Sequence, residues 1–194
     1  MPRLEFHFAP GTSSMAPHIA LHEIGARFEA RPLSFATDER REASFLAINP
    51  EGKVPVLVID GRPLTEVAAI LFYLARTFPG AALLPDDIAA ETHVISWMSF
   101  LASTVHAARR EGLEYAKGIY KIADERLGGR DWAVDRYSIA DIHLFRQCWR
   151  FFNSLNPEPG RFPNLDRHYA RMMERSAVQK TIEIESALGY HLPA

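Results

Sequence analysis

The chain has 194 residues, enough to bury a core in one large domain or two small ones. With 47% hydrophobic residues, 24% charged residues and a net charge of −2, it has a globular composition and lacks the basic footprint that nucleic acid or an anionic membrane attracts. The single cysteine, Cys148, excludes an internal disulfide. No apolar run reaches membrane-spanning length, and the opening MPRLEFHFAPG lacks the apolar core of a secretion signal, so a cytoplasmic location is expected.

Residues 4–9 alternate apolar and polar, the period of a half-buried strand, and Pro10-Gly11 ends it. From Ser14 to Ala26 the positions Met15, Ile19, Leu21 and Ile24 fit a helix, with Ser13 or Ser14 as N-cap. Phe28–Ser34 reads as a second strand, Phe35–Asn49 as polar and loosely helical, and Pro50-Glu51-Gly52 as a turn. Strand 55–59, a tight turn at Asp60-Gly61 and strand 62–64 make a hairpin. A helix then follows, with Thr65 at its N-cap and Val67, Ile70, Leu71, Leu74 and Phe78 at helical spacing. The order β-α-β-α-β-β-α is the thioredoxin-like arrangement.

Pro79-Gly80 and Leu84-Pro85-Asp86-Asp87 mark a linker. Beyond it only helical patterns occur, over about 88–116, 138–154 and 164–188 with a break near Ser176. Ser138-Ile139-Ala140-Asp141 is a capping box, which nucleates a core helix and does no chemistry. Cys148, within a helical run, is expected to pack rather than react. His18 and His22 have the spacing of a metal pair, but no third ligand is evident, so no metal is expected.

Four separated blocks in this order resemble the glutathione transferases, and among them the bacterial beta class. They are Phe8-Ala9-Pro10-Gly11-Thr12-Ser13-Ser14-Met15-Ala16-Pro17-His18, NPEGKVPVLVIDGRPLTE from Asn49, Trp97-Met98-Ser99-Phe100 with His106, and Tyr137-Ser138-Ile139-Ala140-Asp141. The resemblance implies a thioredoxin-like glutathione-binding domain over 1–79, a linker at 80–87, and an all-helical domain over 88–194 that lines the electrophile site. It further implies a homodimer that uses glutathione as co-substrate and a small apolar electrophile.

The resemblance also assigns roles. Val54-Pro55 would be cis and present the Val54 N–H and C=O to the cysteinyl backbone of the tripeptide, a strand addition in miniature. For this dipeptide alone an ordinary trans-proline at a strand start is the plain reading. Glu66 would take the ligand's α-ammonium, the backbone N–H of Val67 its carboxylate at the helix start, and Lys53 the glycyl carboxylate. Phe8, Ser99, Phe100 and Ser103 are possible cleft residues, with Ser99 and Ser103 on the His106 side of one helix at i−7 and i−3.

The chain departs from the family where the chemistry is done. Phe8 stands where the beta class has tyrosine, Ser13 where it has cysteine, Val67 where a serine is usual, and Ser99 where asparagine is usual. The segment between His106 and the capping box is shorter than the family's. Two hydroxyls remain for the sulfur, Ser13 and Ser14, and each is equally readable as an N-cap. His106 matches the position that faces the thiol. The reading is a glutathione transferase. Its alternatives are a non-catalytic glutathione-binding module and a glutathione-dependent isomerase, dehalogenase or ether-cleaving enzyme.

Overall fold

A computed structural model describes residues 1–190. Two compact units are present, Met1–Leu74 together with the chain from Ser176 on, and Ala75–Arg175. The sequence boundaries assign Ser176 and the helix it opens to the helical domain. In the structure that stretch packs in the first unit instead, because its helix is held to the first helix by a buried glutamate.

In the first unit, β1 (Leu4–Phe8), β2 (Glu29–Pro32), β3 (Val56–Ile59) and β4 (Arg62–Thr65) form one sheet in the order β2-β1-β3-β4. β1 is parallel to β2 and antiparallel to β3, with Phe6 opposite Ala30 and Leu57. The central pair supplies the core: Leu4, Phe6, Phe8, Val56 and Leu57 are buried, whereas every residue of the edge strand β2 is exposed. Prolines are confined to the edge strands, at Pro32 and Pro63, where a missing donor is tolerated.

Helix α1 (Met15–Glu23) is buried from Met15 to Leu21, α2 (Ala43–Leu46) is a single turn, and α3 is Val67–Thr77. Thr65 is not the N-cap of α3. Its pairing with Val56 keeps it in β4, and Glu66 makes the transition at φ 69°.

The second unit holds α4 (Ile88–Phe100), α5 (His106–Ala108), α6 (Leu113–Leu127), α7 (Ile139–Leu155) and α8 (Pro163–Met173). α9 (Ser176–Leu188) returns to the first unit. The run expected to continue to residue 116 is interrupted. Leu101–Val105 winds as a π-helix, Arg109–Glu111 is 3₁₀, and Gly112 at φ 102° separates these from α6. α6 itself goes unread in the sequence because buried Asp124 interrupts its apolar stripe. That carboxylate caps α8, accepting the N–H groups of Asn164 and Leu165, both at 2.8 Å.

α7 is the central helix, buried from Ile139 to Phe151. Its capping box forms: Ser138 N donates to Asp141 Oδ2 at 2.8 Å, and Ser138 Oγ accepts from Ala140 N at 3.3 Å. Asp141 also takes the Ala133 N–H at 2.7 Å and lies 3.1 Å from His168 Nε2, so the box ties three segments of this unit together. Among the described residues no helix is long and apolar enough to cross a membrane.

Candidate functional site

The turn between β1 and α1 is built around one carbonyl. Ala9 O accepts the Thr12 N–H at 3.2 Å and the Thr12 hydroxyl at 2.7 Å. Thr12 Oγ1 in turn accepts the Ser14 N–H at 3.2 Å. Threonine 12 therefore does the work expected of a serine cap, and neither serine side chain caps α1. Residue 14 is already helical in backbone, so its side chain is displaced from the capping position.

The two serines end in different places. Ser14 is fully buried, its hydroxyl 2.9 Å from Thr12 Oγ1 and 3.5 Å from Ala9 N. Ser13 is half-exposed and its hydroxyl donates to Val54 O at 3.3 Å. A second anchor holds this turn from α9. Gly11, at φ 70°, donates its N–H to Glu185 Oε2 at 2.6 Å, and His18 Nδ1 lies 2.9 Å from Glu185 Oε1. Glu185 is completely buried, so these contacts replace water for its carboxylate. No pattern in the sequence singles out Glu185, because its partners are 167 and 174 residues away.

Val54-Pro55 is cis. Asn49, also unmarked by the sequence, braces the approach to it: Nδ2 donates to Lys53 O at 2.8 Å and Oδ1 accepts the Glu51 N–H at 3.2 Å. Gly52, at φ 62°, packs so closely that a Cβ would meet Arg40 O at 3.0 Å. Lys53 is exposed and pairs with Glu51 at 2.7 Å. Exposed Glu66 precedes α3, and its carbonyl accepts the Ile70 N–H at 2.9 Å. The N–H groups of Val67, Ala68 and Ala69 thus come before the helix's own ladder begins and can serve an anion. In the same unit a cavity of about 230 Å³ is lined by Pro10, Leu33, Ser34, Phe35, Glu39 and Leu188 among others.

His106 follows directly on the π-helix. Single π-turns inside α-helices are frequent at functional sites. The wider winding also breaks the i, i+4, i+7 phase expected for Ser99, Ser103 and His106. Ser99 and Ser103 are exposed, the Ser103 hydroxyl donating to Ser99 O at 2.8 Å, whereas His106 is half-buried and hydrogen-bonded to Gln147. Burial, and after it the guanidinium groups of Arg146, Arg110 and Arg109, hold its pKa down to about 4, so its imidazole is neutral at pH 7. His143, buried on α7, is pushed down to about 3 by desolvation and by Arg146 and His106.

Three further positions resolve as packing. Phe8 is a core residue, fully buried and stacked on Phe6 with ring centroids 5.4 Å apart, so it does not line a cleft. Half-buried Phe100 sits edge-on to Trp97 and under the Arg126 guanidinium, 5.0 Å from its ring centre. Cys148 is buried, and desolvation raises its pKa, so the thiol stays protonated. His18 is engaged by Glu185, and among the described residues no cluster of three or more His, Cys, Asp or Glu could hold a metal ion.

A thioredoxin-like unit carrying a cis-proline beside a helix start, joined in one chain to a helical unit, defines a narrow class. The N-terminal domain family of glutathione S-transferases matches residues 5–76, and the C-terminal domain family matches residues 88–176. A glutathione S-transferase of Xanthomonas campestris is 28% identical, with 94% of this chain and 98% of that protein covered. A maleylacetoacetate isomerase of Rhizobium meliloti is 32% identical over 71% of this chain and 76% of its own length. Among solved structures, a sphingomonad glutathione S-transferase complexed with glutathione superposes with a TM-score of 0.84 at 32% identity, covering 94% of this chain and 98% of that one. The beta-class glutathione S-transferase of Sphingomonas chungbukensis superposes at 0.83 and 34% identity, covering 93% and 98%. The chain belongs to the glutathione S-transferase family, with its likeness to the bacterial beta class.

Proposed function

We infer that the protein is a glutathione transferase that joins the glutathione sulfur to a small electrophile. The carrying observation is the meeting of Ser13 with Val54: the half-exposed hydroxyl of the turn points at the carbonyl that would receive the ligand's cysteinyl backbone. In this reading Val54 pairs with that backbone, and the first N–H groups of α3, beginning at Val67, receive the γ-glutamyl carboxylate. Glu66 takes the α-ammonium, and Lys53 reaches the glycyl carboxylate by leaving Glu51. Ser13, not Ser14, turns its hydroxyl from Val54 O to the sulfur once the ligand's backbone takes that carbonyl, because Ser14 is buried with its hydroxyl against Thr12.

The chemical gain from that donor is bounded. A free thiol ionises near pH 8.5, so at pH 7 only a few per cent is thiolate, and full ionisation multiplies the attacking species by about 30. Attack forms the carbon–sulfur bond as the electrophile's leaving group departs or its double bond accepts the electron pair. His106, neutral at pH 7 with its pKa held down to about 4, is too weak a base to keep the thiol proton. A homodimer and a cytoplasmic setting belong to the same reading, on family membership alone.

The isomerase relative favours a second reading, in which glutathione adds and is then expelled. Retention on immobilised glutathione, together with conjugation of 1-chloro-2,4-dinitrobenzene and a count of glutathione consumed, separates the possibilities. Retention with one glutathione consumed per turnover is the expected result. Turnover of an enone without net consumption would favour the isomerase, and retention without any turnover would leave a binding module. No retention would remove the glutathione assignments themselves.

A further inference from the structure

Within the first unit, the turn after β1, the loop after β2 and the end of α9 line a cavity of about 230 Å³. None of Ser13, Lys53, Val54, Glu66 or Val67, which the transferase reading uses, is among its lining residues. The cavity lies beyond the carboxyl ends of the parallel pair β1 and β2, where the Leu33 N–H donates to Phe8 O at 2.7 Å. Ligands of open α/β sheets bind in crevices at that end of the strands. Pro10, Leu33, Phe35 and Leu188 give it apolar walls, and Leu188 is 46% exposed. Glu39 is the one charged residue lining it.

The loop after β2 fixes that carboxylate. Glu39 Oε2 accepts the Ser34 N–H at 2.9 Å, Oε1 accepts the Thr37 hydroxyl at 3.0 Å, and the Glu39 N–H donates back to Ser34 O at 3.3 Å. Both donors to the carboxylate are neutral, and each of its oxygens has a further lone pair to offer. Among the described residues no cation forms an ion pair with Glu39. The neighbouring Arg40 pairs with Asp38 at 2.8 Å instead and lies over the Phe35 ring, 4.6 Å from its centre. A half-buried carboxylate in an apolar cavity disfavours a second anion and matches a protonated amine, with which it makes a charge-assisted hydrogen bond. A cavity of about 150 Å³ holds one benzene ring, so 230 Å³ takes a ring with a short side chain.

We propose that this cavity binds a small aromatic molecule carrying a protonated amine, with the ring among Pro10, Phe35 and Leu188 and the ammonium group on Glu39. The site goes beyond the transferase reading and needs neither glutathione nor turnover. Glu39 is its specificity residue, and the same charge rejects an aromatic carboxylate of equal size.

Fluorine NMR titrations of the full-length protein without glutathione test this with three probes of one size. They are 4-fluorobenzylamine, a cation at pH 7, neutral 4-fluorobenzyl alcohol and anionic 4-fluorobenzoate. The amine should bind about tenfold more tightly than the alcohol, the size of one charge-assisted contact, and the benzoate more weakly than either. In Glu39→Gln, whose amide oxygen can still accept the Ser34 N–H, the amine should lose that advantage while the alcohol is unmoved. Equal binding of amine and alcohol, a benzoate that binds as well as the amine, no binding of any probe, or a preference that Glu39→Gln leaves intact overturns the proposal.

Leu188→Trp locates the site without touching Glu39. The larger side chain narrows the cavity from its exposed rim and should weaken amine and alcohol together, several-fold each. Binding of both at wild-type strength would put the probes elsewhere and overturn the assignment. No probe is an activated electrophile, so a failed conjugation assay leaves these outcomes as they are, and loss of the amine preference leaves the transferase reading as it is.

Discussion

In the first unit the side chains of Thr12, Ser13, Asn49 and Glu185 each meet a backbone group, whereas in the second the buried Arg109 Nε and His143 Nδ1 find no partner among the described residues. The first region is ordered through its backbone, by Thr12, Asn49 and Glu185 acting on carbonyls and N–H groups. The second is built of side chains, with the guanidinium groups of Arg146, Arg110 and Arg109 acting on His106. In the proposed reading a co-substrate of fixed structure is met by a backbone edge.

Acid should act most strongly on the second region. His106 and His143 are depressed to about 4 and about 3, and in the first unit His22 is depressed to about 4 by desolvation, His18 and Lys180. An imidazole whose folded pKa lies below its unfolded 6.5 lets the unfolded chain bind the extra proton first. Its contribution is complete above pH 6.5 and is lost as pH falls toward the folded value. By pH 4, fully buried His143 alone withdraws about 3 kcal/mol, with smaller, solvent-screened shares from His106 and His22. Urea midpoints should therefore fall steadily from pH 7 to pH 4. His143→Gln should flatten that slope more than His22→Gln. Equal slopes for both variants would erase the contrast between the two regions.

Glu185→Ala tests the tether that completes the first region. It leaves the Gly11 N–H and His18 Nδ1 without their buried acceptor and should cost about 3 kcal/mol in urea unfolding. Glu185→Gln, which still accepts from Gly11, should cost less. If the alanine variant unfolds like wild type, α9 does not position the turn.

These contacts mark where reading the chain succeeds and where it stops. The strands, α1, α7 and the block around Val54-Pro55 are legible because their signals are local: alternation, a capping box, proline and glycine at fixed offsets. Thr12, Asn49 and Glu185 are not, since a threonine in a turn or a glutamate in a helix has many uses and its partner is known only after folding. The π-helix before His106 has no composition signal, so Ser99, Ser103 and His106 appear cofacial in a helical count that the chain does not keep. Asp124 hid α6 for a related reason: a buried charge looks like a break in an apolar stripe until the helix it caps is in place.

Glu66 sets stability against binding within the first region. Its φ of 69° is costly for a residue with a Cβ, by about 1 kcal/mol. Glu66→Gly should therefore raise the urea stability slightly while removing the partner of the ligand's α-ammonium. A lost hydrogen bond to a charged group, about 1.5–3 kcal/mol, corresponds to a ten- to hundredfold weaker Kd for glutathione by calorimetry. Lower stability together with unchanged affinity would make the residue purely structural.

The two adjacent serines give the smallest and sharpest test. Ser13→Ala removes a half-exposed hydroxyl from Val54 and from the proposed sulfur position, so it should lower kcat/KM by at most about 30-fold at pH 7. Because the defect is one of thiolate population, it should shrink as pH rises past 8.5, where the thiol ionises unaided. Its effect on unfolding should be small. Ser14→Ala should do the reverse, costing about 1 kcal/mol through lost bonds to Thr12 and Ala9, with a milder and pH-independent effect on rate. A pH-independent loss in Ser13→Ala would show that Ser13 shapes the cis-proline loop and leaves the sulfur alone.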